Sequence, residues 1–144
     1  MPLTAYEISM TGLDVEWRRL EVIASNLANM NTVRGTGELG YQPMRLVTAP
    51  GMSFAAHMEA GQGMALARGV QVAAVEATQA GETASYEPEH PVAGEDGLVW
   101  RPNVDHAGEM TLMMRTTRAY EANLTAASLA QQMYRSALDA GRGS

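Results

Sequence analysis

The side chains able to do chemistry in this 144-residue chain are few and scattered. Three histidines occur, His57, His90 and His106, and none joins another histidine or a carboxylate at the helical spacing a metal site needs. His90 stands in Glu87-Pro88-Glu89-His90-Pro91, where an acid/base or metal role is conceivable. A turn held by two prolines is the simpler reading, and His106 reads as a solvated first-turn residue. The paired carboxylates Glu87/Glu89 and Glu95/Asp96 lie in polar, Pro- and Gly-rich segments. Acid/base catalysis needs two pKa values driven apart by burial or neighbours, and solvated carboxylates do not supply that. Ser53, Ser85 and Ser128 lack the Gly-x-Ser-x-Gly setting of a nucleophile elbow, and Gly61-Gln62-Gly63 is too short for a phosphate loop. An enzyme hidden in residues 40–103 would have to gather His90, Glu87 and Asp96 into one pocket. No catalytic role, metal or cofactor is expected.

Composition narrows the classes further. The chain has no cysteine, which removes disulfides, thiolate metal sites and thiol nucleophiles. All ten basic residues are arginine, so Schiff-base lysine chemistry and a P-loop lysine are excluded as well. Sixteen acidic residues give a net charge of −6, and no basic stripe exists to displace counterions from a nucleic acid. The start, Met-Pro-Leu-Thr-Ala-Tyr-Glu, has neither the basic nor the apolar region of a secretory signal, and no 18-residue apolar run predicts a membrane span. Hydrophobic residues make up 46% but aromatics only 6%, much of the apolar share being alanine, so a large aromatic core is not expected. Eleven methionines suit adaptable or intersubunit packing.

The elements that must carry any function lie at the two ends. Tyr6, Met10, Leu13, Trp17, Leu20, Ala24 and Leu27 alternate four and three apart, an apolar seam along one helical face. Thr4 and Glu7 form a capping-box pattern, and Leu3 with Ile8 a hydrophobic staple. Asp14, Glu16, Arg18, Glu21 and Ser25 are expected on the opposite face. This helix is predicted to end at Asn29 to Asn31 through a left-handed Asn closure. Near the other end, Met110, Met113, Thr117, Tyr120, Leu124, Ala127, Gln131, Tyr134 and Leu138 repeat the spacing, with Asp105 as N-cap and Gly141 as stop.

Between the helices the chain is rich in Gly, Pro and Ala. Tyr41 to Val47 reads as an edge strand interrupted by Pro43, Val70 to Ala74 as a second strand, and Leu98 to Trp100 as a third; Pro50 to Arg68 has no steady period and reads as a loop. The expected fold is mainly α: long N- and C-terminal amphipathic helices packed as a coiled-coil-like pair, with an irregular middle containing short β-strands. The divisions are 1–32, 33–103 and 104–144. One helix covers only part of the other's stripe, which includes Val22, Ile23 and Leu129 beyond the seam, so further copies or other subunits are expected to cover the remainder.

Ala24-Ser25-Asn26-Leu27-Ala28-Asn29, closing the first helix, resembles the signature of bacterial flagellar rod and hook proteins. Tyr86-Glu87-Pro88-Glu89-His90-Pro91, Asp96-Gly97-Leu98-Val99, Pro102-Asn103-Val104-Asp105 and Arg118-Ala119-Tyr120-Glu121-Ala122-Asn123-Leu124 resemble the later segments of the flagellar basal-body rod protein family, in the family's order. The resemblance implies a structural subunit of the proximal rod, the axial shaft carrying motor torque to the hook. It implies export through the flagellar type III apparatus without a cleavable signal. Helical assembly with other rod subunits and further copies follows, the terminal helices inward, with no nucleic-acid partner and no membrane insertion. The assembly interface would then use Tyr6, Met10, Leu13, Trp17, Leu20, Ala24, Asn26, Leu27 and Asn29 of the first helix. From the second it would use Met110, Met113, Tyr120, Asn123, Leu124, Tyr134 and Leu138. Asn26 and Asn29 would bridge adjacent subunits or cap the helix locally. The competing reading is a soluble helical adaptor whose methionine face (Met110, Met113, Met114, Met133) holds a partner helix in a discrete complex.

Overall fold

Two long helices run antiparallel, and the first two of the four short strands between them pack against the first helix. The computed structural model describes residues 4–51 and 69–142. Helix α1 spans Ala5–Asn29 and α2 spans His106–Arg142. Strands β1 (Met44–Pro50) and β2 (Val70–Ala77) form one antiparallel pair, β3 (Glu82–Tyr86) and β4 (Leu98–Pro102) another.

Helix α1 begins where the cap pattern places it. The Glu7 amide donates to Thr4 Oγ1 (3.3 Å) while the Glu7 carboxylate accepts from the Thr4 amide (2.7 Å), so each satisfies a donor the helix leaves unpaired. Leu3 of the staple lies outside the described residues. The end differs from expectation. No described residue other than glycine has a positive φ, and Met30 closes α1 in a right-handed conformation. Asn29 acts locally, its Nδ2 donating to the Ser25 carbonyl at 2.9 Å and its own carbonyl accepting from the Thr32 amide at 3.0 Å. Helix α2 also runs past Gly141, which keeps a negative φ, to Arg142.

The crossing is set by small and polar groups. Gly12 faces Asn123 so closely that a Cβ at Gly12 would lie 2.8 Å from Asn123 Oδ1. Asn26 reaches Glu109 at 3.1 Å, and the Trp17 and Tyr120 rings sit 6.3 Å apart. Facing residue numbers thus sum to about 135, from 26 with 109 to 12 with 123. The buried face of α1 is Ser9, Gly12, Val15, Ile23 and Asn26, with Leu13 at its edge, and that of α2 is Thr116 and Ala127. Compared with the apolar seam of the sequence, the α1 contact is turned by about one residue, or 100°. Glu16, expected outside, lies on the inner flank and pairs with Arg19 at 2.7 Å.

The middle segment departs from expectation in strand bounds. Strand β1 starts after Pro43 instead of at Tyr41, because Pro43 has no amide to give and its carbonyl accepts from the Thr78 amide (2.7 Å). It pairs with β2 from Met44↔Ala77 to Pro50↔Val70, with an irregularity between Val47 and Thr48. Strand β2 continues to Ala77, β4 runs on to Pro102, and β3 was not anticipated: Glu-Thr-Ala-Ser-Tyr has little apolar alternation. β3 pairs with β4 from Glu82↔Pro102 to Tyr86↔Leu98. The loop reading for Pro50 to Arg68 falls, from Met52 on, outside the described residues. Two contacts fix this segment in place. Val70 donates its amide to Thr11 Oγ1 of α1 (3.2 Å), and Arg34 exchanges backbone bonds with Trp100 (3.0 Å each) while its guanidinium grips Glu82 and covers the Trp100 ring.

Candidate assembly interface

An amphipathic helix in a closed fold turns its apolar face inward. Here the pair buries Ser9, Gly12, Leu13, Val15, Ile23, Thr116 and Ala127 but leaves most of its largest side chains exposed. Tyr6, Met10, Trp17 and Ala24 of α1 are exposed, Trp17 by 53%; Leu20, Leu27 and Asn29 are half-buried, and Leu13 is buried. On α2, Met110, Leu124, Tyr134 and Leu138 are exposed, while Met113, Tyr120 and Asn123 are half-buried against α1. Ile8, Leu112, Met114, Leu129 and Met133 add to the exposed apolar surface. Met114, Leu129 and Met133 were legible as methionine stripe and residual stripe; Leu112 was missed, although its place beside Met113 on a wide apolar arc carries the signal. Together these side chains leave much large apolar surface uncovered along both helices.

Asn26 does something different. It is 1% exposed, and all its polar atoms are engaged within the chain. Nδ2 donates to the Met44 carbonyl (2.9 Å) and to Glu109 Oε1 (3.1 Å), while Oδ1 accepts from the Met44 amide (2.9 Å) and the Tyr41 hydroxyl (2.9 Å). One side chain therefore locks α1, α2 and the start of β1 together, and presents nothing to a neighbour. Asn123 likewise lies at the crossing, against Gly12.

Of the residues weighed for catalysis, Ser53, His57 and Gly61-Gln62-Gly63 lie outside the described residues, and Glu87, His90 and Asp96 are engaged in local bonds. Glu87 takes Arg101 (2.8 Å) and the Ser85 hydroxyl (3.0 Å), and the Arg101 bond first, then Ser85, holds its carboxyl below the usual range. Asp96 accepts from the Thr36 hydroxyl and the Leu98 amide, and His90 Nδ1 accepts from the Val92 amide at 3.3 Å. Each secures a turn. Glu82 is also held low, chiefly by its hydrogen bond to Arg34. Among the described residues no group of three or more acidic or histidine side chains is arranged to hold a metal, and no helix is long and apolar enough to cross a membrane.

Comparison with known proteins meets the same two ends of the chain. Residues 7–34 match the model for "Flagella basal body rod protein", and residues 95–140 match "Flagellar basal body rod FlgEFG protein C-terminal". The flagellar basal-body rod protein FlgC of Salmonella typhimurium is 35% identical over 140 residues, covering 97% of this chain and 98% of that one. FlgC of Bacillus subtilis is 34% identical over 143 residues, covering 94% and 95%. FlgC of Borreliella burgdorferi is 33% identical over 147 residues, covering 94% of each. With likeness running nearly end to end through both helices and the strands between them, this chain belongs to the FlgC family of flagellar basal-body rod proteins.

Proposed function

We infer that this chain is a structural subunit of the flagellar rod, held in the basal body by the outward faces of α1 and α2. The observation that carries this is the exposure of Tyr6, Met10, Trp17, Met110, Leu124, Tyr134 and Leu138, large apolar side chains that the fold itself does not cover. A heterologous contact repeated with a non-closing rotation builds an open helical assembly, which is what a shaft requires. Torque then passes through many buried helix contacts in parallel, and no chemical step is involved. The neighbours in this reading are other rod subunits and further copies of this chain. They would meet it in a coiled-coil inner layer, with the strand segment lying outward. Export proceeds through the flagellar type III apparatus and places the chain in the rod where that crosses the periplasm.

The test is deletion of the gene with complementation, followed by mass spectrometry of purified hook–basal bodies. Loss of motility on deletion, with the complementing chain recovered in basal bodies after detergent and salt extraction, supports the reading. A motile deletion strain, or a chain found only in the soluble fraction, overturns it in favour of the adaptor.

A further inference from the structure

Helix α2 outlasts its partner. With facing numbers summing to about 135, Ala5 at the start of α1 stands opposite Ala130, and residues 131–142 continue for about 18 Å beyond it. Every residue from Gln131 to Gly141 is exposed, including Met133 (65%), Tyr134 (66%) and Leu138. The inner seam does not stop at Ala130. Positions 120, 123, 127 and 130 lead at the same three-and-four spacing to Tyr134 and Leu138, so the stripe that packs on α1 carries on with no described α1 residue opposite. A groove of about 510 Å³ opens at the root of this overhang, between Thr4–Tyr6 and Ala130–Tyr134.

We propose that the α2 overhang docks antiparallel on the outward stripe of α1 in a second copy of this chain, with Leu138 beside Met10 and Arg135 beside Asp14. This rests on the rod reading above and names its self-contact. Three observations favour this occupant. The overhang continues an existing helix–helix seam, so what fits it is another helix shaped like α1. The outward α1 stripe from Tyr6 to Trp17 is apolar and as long as the overhang. The charges agree, because Arg135 flanks the overhang, Asp14 flanks the stripe, and neither makes an ion pair among the described residues.

Polarity follows from symmetry. Copies stacked in one direction along an axis set every α2 antiparallel to every α1, as within the chain. The intermolecular pairs then sum to about 148 instead of 135, which displaces the second copy by 13 residues, or about 20 Å, along the axis. The side chains concerned expose roughly 700 Å² in all, below the roughly 1,200 Å² of a stable pairwise complex, so the contact holds only where repeated in a lattice.

The cysteine-free sequence permits a direct test. Met10→Cys and Leu138→Cys are placed in one chain, expressed in the deletion strain, and oxidised in purified basal bodies. Within a chain these positions lie about 20 Å apart, too far for a disulfide. The expected result is a reducible ladder of multimers of this chain, absent when Arg18→Cys replaces Met10→Cys. A chain present in basal bodies without such a ladder, or linked to a different protein, overturns the proposal and leaves the rod reading standing. A chain absent from basal bodies overturns both. A charge exchange gives a second measure: Asp14→Arg is expected to reduce swarming to the level of the deletion strain, and adding Arg135→Asp to restore at least half of it. Failure of the pair to restore swarming, or full swarming with Asp14→Arg alone, counts against the contact.

Discussion

Replacing Asn26 with alanine removes four hydrogen bonds at one buried point. Two are neutral bonds to the Met44 backbone, one is from the Tyr41 hydroxyl, and one reaches the Glu109 carboxylate. A neutral bond contributes about 1 kcal/mol net and one to a charged group about 1.5–3 kcal/mol. Met44 is partly exposed, so water recovers much of what its backbone loses. The expected loss is therefore about 3 kcal/mol, equivalent to a fall in Tm of roughly 6–12 °C for a chain of this size. Asn29→Ala, which gives up mainly a local bond to Ser25, is expected to cost under about 1 kcal/mol. Asn26→Asp separates packing from charge. It sets a second carboxylate against Glu109, so at pH 7 it is expected to be worse than alanine. Urea unfolding followed by circular dichroism measures all three variants. An Asn26→Ala midpoint matching that of the parent, or an Asp variant no worse than Ala at neutral pH, would refute the role assigned to this residue.

Other consequences are narrower. Gly12→Val forces a branched side chain into the space of Asn123, and overpacking of about 1–3 kcal/mol is expected in the urea midpoint. Leu124→Asp, on the outward face, is expected to leave the unfolding midpoint within about 0.5 kcal/mol of the parent while abolishing swarming; normal swarming would argue that this face is free in the cell. Glu82 and Glu87 are held below the usual carboxylate range by their arginines, so the unfolded chain binds more protons than the folded one. Their contribution is complete above the unfolded value of about 4.3 and disappears as pH falls through the lower native values. Trp100 fluorescence, read in a Trp17→Phe background, is expected to stay constant from pH 8 to 5 and change below about pH 4. Glu82→Gln should remove part of that transition, and a midpoint near pH 6 would contradict its assignment to these carboxylates.

Much of this architecture was legible in local patterns. The Thr4 cap, the two helices and three of the four strands follow from spacing and turn chemistry that act within a few residues. Strand β3 was hidden because Glu82-Thr83-Ala84-Ser85-Tyr86 is specified by its partner: Glu82 is held by Arg34, 48 residues earlier. The helix seam was read from its largest side chains, and periodicity cannot say which partner a stripe meets. Inside the chain the close approach is made by Ser9, Gly12 and Ala127, whose small size lets the backbones near each other, while Met10 and Trp17 remain outside. In the sequence Asn26 reads only as part of the Ala24–Asn29 signature, a bridge between subunits or a local cap. Its task depends on Tyr41, Met44 and Glu109, which only the fold brings to it.

On the proposed reading, neighbouring subunits cover the exposed apolar faces of α1 and α2 in the rod. Met10, Met110, Met114 and Met133 lie on those faces and are exposed in the isolated chain, so each reports its own surroundings through oxidation. Methionine footprinting by mass spectrometry, on the isolated chain and on intact hook–basal bodies, measures the cover directly. All four methionines should oxidise readily in the isolated chain and be strongly protected in the basal body. Equal oxidation in both preparations would mean that these faces stay uncovered in the rod.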